Sequence, residues 1–354
     1  MNKPLPPFSC KYTPNVPELL NDLNISLALS TYQAGKVVFL SATDREKMIQ
    51  LPRNFENAMG VAIDGNKMAI ASKNELTILA NAPALAKAYP QKPNTYDSLF
   101  LPRLTYFTGQ LALHDTAWTK QGLISVNTNF SCLSSFNDEY SFNPIWKPPF
   151  ISELHPEDRC HLNGMALENG EIKYVTALGQ NDTKGGWREN KMQGGILMEV
   201  PSGKIILDGL PMPHSPRIYD KKLYVLLSAA GELVEVNLED NTYKTLVKLG
   251  SFARGMAKFG DYLFIGTSKL RHNTSAFKDL PIAKTSTAGI SIIYLPYMNV
   301  IGKIEYQTSV EEIYDVQVLP GISRPNIINS NQEIHKLGLV SPENNYWAQT
   351  ENEN

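Results

Sequence analysis

Six short stretches of this chain share one pattern: MGVAIDGNKM, HDTAWTKQGL, NGMALENGEI, HSPRIYDKKL, RGMAKFGDYL and DVQVLPG. They open on Met59, His114, Asn163, His214, Arg254 and Asp315. In the first five an apolar residue follows nine positions on, at Met68, Leu123, Ile172, Leu223 and Leu263. A recurrence every ~40–60 residues with strand-like content is the signature of propeller blades or a similar array.

Each repeat reads as about four strands. In the third, NGMALE is followed by IKYVTAL, GILMEV and KIILDG. Asn-Gly at 169–170 and Ser-Gly at 202–203 punctuate them as hairpin turns. The fourth repeats the meander as RIYD, LYVLLS, LVEVNL and YKTLVKL. The last repeat, EEIYDVQVLPG, holds a single strand, whereas residues 25–51 hold three strand-like runs without a first strand. Pairing one C-terminal strand with three N-terminal strands completes a blade and removes the open edges. The expected fold is therefore all-β: a six-bladed β-propeller closed by its two ends. Seven blades is the alternative if KVVFLSA and its neighbours form a blade of their own. The expected divisions are an arm over 1–24, one propeller domain over 25–321 and a polar tail over 322–354.

Composition narrows the function. The 354 residues are 42% hydrophobic and 19% charged, with a net charge of −2 and no long basic run. Phosphate backbones demand clustered Lys and Arg, so nucleic acid is not the expected partner. Cys10, Cys132 and Cys160 form no CxxC and no disulfide framework. No run of 18 apolar residues marks a membrane span, and the N-terminal stretch lacks the apolar core of a secretion signal. The expected compartment is cytoplasmic.

The first strand of a propeller blade lines the central channel, so the six opening residues form the candidate site. Side chains alternate along a strand, which puts the residue two before each opener on the same side. These are Asn57, Ala112, His161, Met212, Phe252 and Ile313. His114, His161 and His214 then face the channel together, with the carboxylate of Asp315. Such a set suits a divalent metal (zinc, iron, manganese or calcium) with an open position that activates water or polarises a carbonyl. Arg254 is the expected anion clamp and, with Asp315, the candidate catalytic pair. Asn57, Asn163, Trp187 and Arg188 complete the candidate substrate-binding set. Trp187 and Arg188 sit in the long loop 179–194, which, like 267–288, is expected to cover this face. Three readings of the column stay open: a metal site, a metal-free ligand or catalytic site, and a polar channel holding only water, in which Asp315 pairs with Arg254. Cys160 precedes His161, but alternation turns it away, so it is expected to be a packed thiol. Walker, GxSxG and HExxH signatures are absent, and no nucleotide cofactor is expected.

The segments STYQAGKV, FSCL, WKPPFI, PEDRCHLNGMA, VTALG, GGWRE, MPHSPR, RGMA, GDYLFIGTSKLR and EEIYDVQVLPG occur in this order over about residues 28–321. Together they resemble a family of bacterial conserved hypothetical β-propeller-like proteins of unassigned activity. That resemblance implies the fold and supplies no reaction. Fusion or association of such proteins with sulfotransferase or tetratricopeptide proteins points to a modifying enzyme as partner. A looser likeness joins His114, His161 and His214 to the zinc histidines of peptidylglycine amidating lyase. Another joins Asn163 and Asp315 to the calcium-type site of gluconolactonase-like propellers. Both are analogies of fold. The functional expectation is a metal-assisted lyase or hydrolase acting on a small polar or peptide-derived substrate at the channel mouth. The alternative is a non-catalytic peptide- or glycan-binding propeller serving a partner enzyme.

Overall fold

Tight hairpins set the repeat. Asn169 and Gly170 both take left-handed φ, 52° and 75°, the pair that a two-residue hairpin with matching strand twist requires. They join Leu162–Glu168 to Glu171–Ala177. Repeated around the chain, such hairpins give six small antiparallel sheets arranged as a six-bladed β-propeller in the computed structural model, which describes residues 4–270, 277 and 279–349.

Blade 1 runs outward from Val61–Asp64 to Ser98–Phe107, and blade 2 from Leu113–Thr119 to Asn143–Trp146. Blade 3 runs from Leu162–Glu168 to Ile205–Leu210, blade 4 from Pro213–Tyr219 to Thr242–Lys248, and blade 5 from Phe252–Phe259 to Asn299–Tyr306. The sixth blade closes the ring. Its inner strand is Asp315–Pro320, paired antiparallel with Ile25–Thr31 from Ser30 opposite Asp315 to Ile25 opposite Pro320. KVVFLSA, at Lys36–Ala42, is the next strand of this same blade, so no seventh blade forms.

Each seam between neighbouring blades carries its own apolar core, because a strand surface buries its side chains only against another sheet. Phe39 and Phe100 meet in the seam between blades 6 and 1, with ring centroids 6.1 Å apart. Met165 and Val126 fill the seam of blades 2 and 3, and Ile265 with Tyr224 the seam of 4 and 5.

The two ends of the chain also carry structure. Cys10–Tyr12 pairs with the outer strand of blade 5, and the helix Asn15–Asp22 buries Val16 and Leu20 against the seam of blades 5 and 6. Pro325–Ile327 adds a parallel strand outside blade 1, and Ile327 and Ile328 are fully buried there. Among the described residues no helix is long and apolar enough to cross a membrane.

Candidate functional site

The inner strands meet through a ring made of Gly60, Asp115, Gly164, Ser215 and Gly255, each one step past its opener, and of Asp315, itself the sixth opener. Glycine alternates with a small acceptor, and the packing explains why. A Cβ on Gly60 would lie 2.8 Å from Thr116 Oγ1, and one on Gly255 only 2.7 Å from Asp315 Cα. Gly255 also holds φ at +75°. The acceptors tie the blades together. Met165 N–H donates to Asp115 at 3.0 Å, Val61 N–H to Asp315 at 2.9 Å, and Gly255 N–H to Ser215 Oγ at 2.8 Å.

This ring moves one expectation by a residue. Asp315 stands at the step of Asp115, and Tyr314 takes the opener's step beside His114, its ring centroid 5.1 Å from the imidazole. The single-strand repeat DVQV offered no hairpin from which to fix the register, so the offset was invisible in sequence. Nor does Asp315 pair with Arg254. Arg254 bonds Glu312 and, through Nε, the Ile313 carbonyl at 3.3 Å. Burial raises the Asp315 carboxyl pKa above the ordinary range, against the opposing pull of Arg217.

His114, Asn163, His214, Arg254, Tyr314 and Asp315 border one small space at the centre of the channel, about 10 Å3, roughly room for a single water-sized occupant. His114 Nδ1 lies 2.9 Å from the Ala112 carbonyl. His214 Nδ1 faces the Met212 carbonyl at 3.1 Å and Ser228 Oγ at 2.8 Å, and that hydroxyl spends its own proton on the Ala253 carbonyl. A carbonyl only accepts, so both Nδ1 atoms carry the proton and both Nε2 atoms keep a lone pair. Burial, then the neighbouring His161, pushes the His114 pKa down to about 3. Burial and Arg254 push His214 well below its ordinary value. Both imidazoles are therefore neutral near pH 7. The Tyr314 hydroxyl is buried without a partner among the described residues.

His161 reaches the channel by a different route from the one alternation suggests. Its φ is +52°, and the strand begins only at Leu162. Asn57, Ala112 and Met212 share this left-handed step, so the strand rule fails two residues before the opener in four blades. The His161 ring nevertheless lies edge-on to His114, centroids 4.7 Å apart. Asp158, which sequence reasoning missed, organises this corner. It accepts from His161 Nδ1 at 2.8 Å, Trp187 Nε1 at 2.9 Å and Arg188 at 3.3 Å. Trp187 is buried, its ring 4.5 Å from His161, and Arg188 stacks over it at 4.4 Å. The loop 179–194 is thus a plug seated by an indole. Of the loop 267–288, residues 271–276 and 278 lie outside the described residues. Cys160 is fully buried and its thiol pKa is pushed up to about 12 by that burial, which fits a packed thiol.

Above the centre, Tyr32, Asn57, Phe252, Arg254, Lys269 and Glu312 border an open pocket of about 340 Å3. Arg254 belongs to both spaces, its guanidinium 4.0 Å over the Tyr314 ring. Its Nη1 makes no hydrogen bond among the described residues. Asn163 is held by Thr176 and the Pro213 carbonyl. Among the described residues no three His, Cys, Asp or Glu side chains gather as a metal cluster.

The fold and its channel define a six-bladed β-propeller with a polar centre. The chain belongs to the family described as a domain of unknown function, DUF4915, whose model matches residues 14–328. No curated protein matches the sequence. Among solved structures, a chain of a nidogen/laminin complex shares 11% identity with a TM-score of 0.54, over 84% of this chain and 99% of that one. A protein of unknown function from Bacteroides caccae shares 10% identity with a TM-score of 0.50, over 83% and 98%. Both likenesses concern the fold alone.

Proposed function

We propose that the channel mouth binds a small polar, carboxylate-bearing ligand of peptide-derived type, and that His114 and His214 act on it, or on a water, in the space beneath. One observation carries this reading: Arg254 lines both the open pocket and the inner space, and although Nη2 is paired with Glu312 and Nε with the Ile313 carbonyl, its Nη1 makes no hydrogen bond among the described residues. A guanidinium stacked on an aromatic ring and partly desolvated grips a carboxylate more strongly than one in water. The neutral imidazoles below offer Nε2 lone pairs that accept hydrogen bonds from a ligand or a water and so orient it. A panel of dipeptides, N-acyl amino acids and simple carboxylates, tested by thermal shift and calorimetry, examines this. At least one member should bind the parent and lose at least tenfold in affinity in Arg254→Gln. Binding that ignores this change refutes the reading.

A second reading has its own support. Two imidazoles with Nδ1–H anchored to carbonyls are arranged as metal-bound histidines are. A divalent ion (zinc, iron, manganese or calcium) held by His114 and His214 would draw its remaining ligands from Tyr314, water or the substrate. Elemental analysis of the untagged, dialysed protein, beside the His114→Ala/His214→Ala variant, separates the two readings.

A further inference from the structure

The opposite end of the channel carries a second pocket. It is lined by residues one to five steps beyond the openers, among them Ile63, Trp118, Leu167, Arg217, Tyr219 and Gln317, and holds about 230 Å3. Asp115 and Arg217 border both this pocket and the channel centre, so their ion pair divides the two.

We infer that this pocket binds a neutral hydroxyl-rich molecule, a single pyranose sugar or the terminal sugar of a glycan. Three observations carry the inference. The Trp118 ring lines the pocket and offers an aromatic wall on which a sugar ring can stack, while its buried indole N–H has no acceptor among the described residues. Gln317 gives its Nε2 protons to the Val61 carbonyl at 2.8 Å and to Asp315 at 3.3 Å, and its carbonyl oxygen has no partner among the described residues. The site thus presents an open acceptor beside an aromatic ring, which a hydroxyl-bearing ring answers and a bare anion does not. Charge excludes the anion independently. Arg217 is matched by Asp115 through two bonds of 2.8 and 3.1 Å, and Asp315 adds a second carboxyl nearby. The remaining walls, Ala62, Ile63, Leu167 and Ile218, are apolar and suit the C–H faces of a sugar ring.

The test uses the indole N–H signals of the four tryptophans in the full-length, 15N-labelled protein, with the Trp118 signal assigned from Trp118→Phe. The probes are glucose, galactose, mannose and N-acetylglucosamine, each titrated to high-millimolar concentration, with citrate as the anionic comparison. The expected result is a saturable shift of the Trp118 signal with at least one sugar and none with citrate. Ala117→Phe, which adds a ring at the pocket wall, should abolish that shift in protein that still melts cooperatively. Silence of the Trp118 signal with all four sugars overturns the inference, and so does a response to citrate alone. These outcomes are independent of the carboxylate screen at the other mouth.

Discussion

Asp115 is where the account is most exposed to refutation. Its carboxylate accepts four hydrogen bonds: from Thr116 N at 3.0 Å, Met165 N at 3.0 Å, and the two Arg217 nitrogens. It therefore joins the inner strands of blades 2, 3 and 4 at once. Asp115→Ala leaves a buried guanidinium without its partner, a change that typically costs about 3–5 kcal/mol. Unfolding entropy of about 2.1 cal/mol/K per residue makes roughly 0.7 kcal/mol/K for this chain, so the melting temperature should fall by about 5 °C. Scanning calorimetry reads this directly. The double change Asp115→Leu/Arg217→Met removes both charges of the pair and should melt closer to the parent than Asp115→Ala does, because the guanidinium is no longer buried without its carboxylate. A fall below 1 °C in the single variant, or a double variant that shows the sum of its two single losses, refutes the view that this pair clamps the channel.

Three further predictions follow from the same geometry. Gly255→Ala puts a side chain at φ +75° and 2.7 Å from Asp315 Cα, so it should cost about 1–3 kcal/mol from backbone strain alone, seen as a lowered urea midpoint. His114 and His214 have depressed pKa values in the folded state, so the unfolded chain binds their protons first as pH falls below 6.5; stability from each is present above that value and should be lost at up to about 1.4 kcal/mol per pH unit down toward pH 3, a slope that His114→Gln flattens in urea unfolding across pH 4–7. Trp187→Ala should cost about 3–5 kcal/mol and speed hydrogen exchange of the 179–194 backbone, because the indole is buried and bonded to Asp158.

The architecture was legible because hairpin punctuation and strand periodicity are local signals. MGVAIDGNKM and its fellows gave the blades, and the incomplete last repeat gave the closure. The placement of His114, His214 and Arg254 along the channel was legible for the same reason. What escaped was whatever depends on departures from regular strand. Four residues before the openers adopt left-handed backbone, which no periodicity announces, so His161 reached the channel by a turn and not by alternation. Asp158 and Glu312 act from loops, and nothing in PEDRC or EEIYD marks one acid over its neighbours. Asp115 and Arg217 lie far apart in sequence, in blades 2 and 4, and only the narrowness of the glycine ring lets them meet. The offset of Tyr314 for Asp315 came from the one repeat that lacks a hairpin.

The most direct measurement is 15N NMR of the histidine ring nitrogens between pH 4 and 8. The account predicts that His114 and His214 show protonated Nδ1 and lone-pair Nε2 throughout pH 5–8, with both Nε2 signals moving when a carboxylate ligand from the panel binds. Histidines that titrate near pH 6.5, or that carry the proton on Nε2, would contradict the claim that the channel presents two neutral imidazoles to a single central occupant.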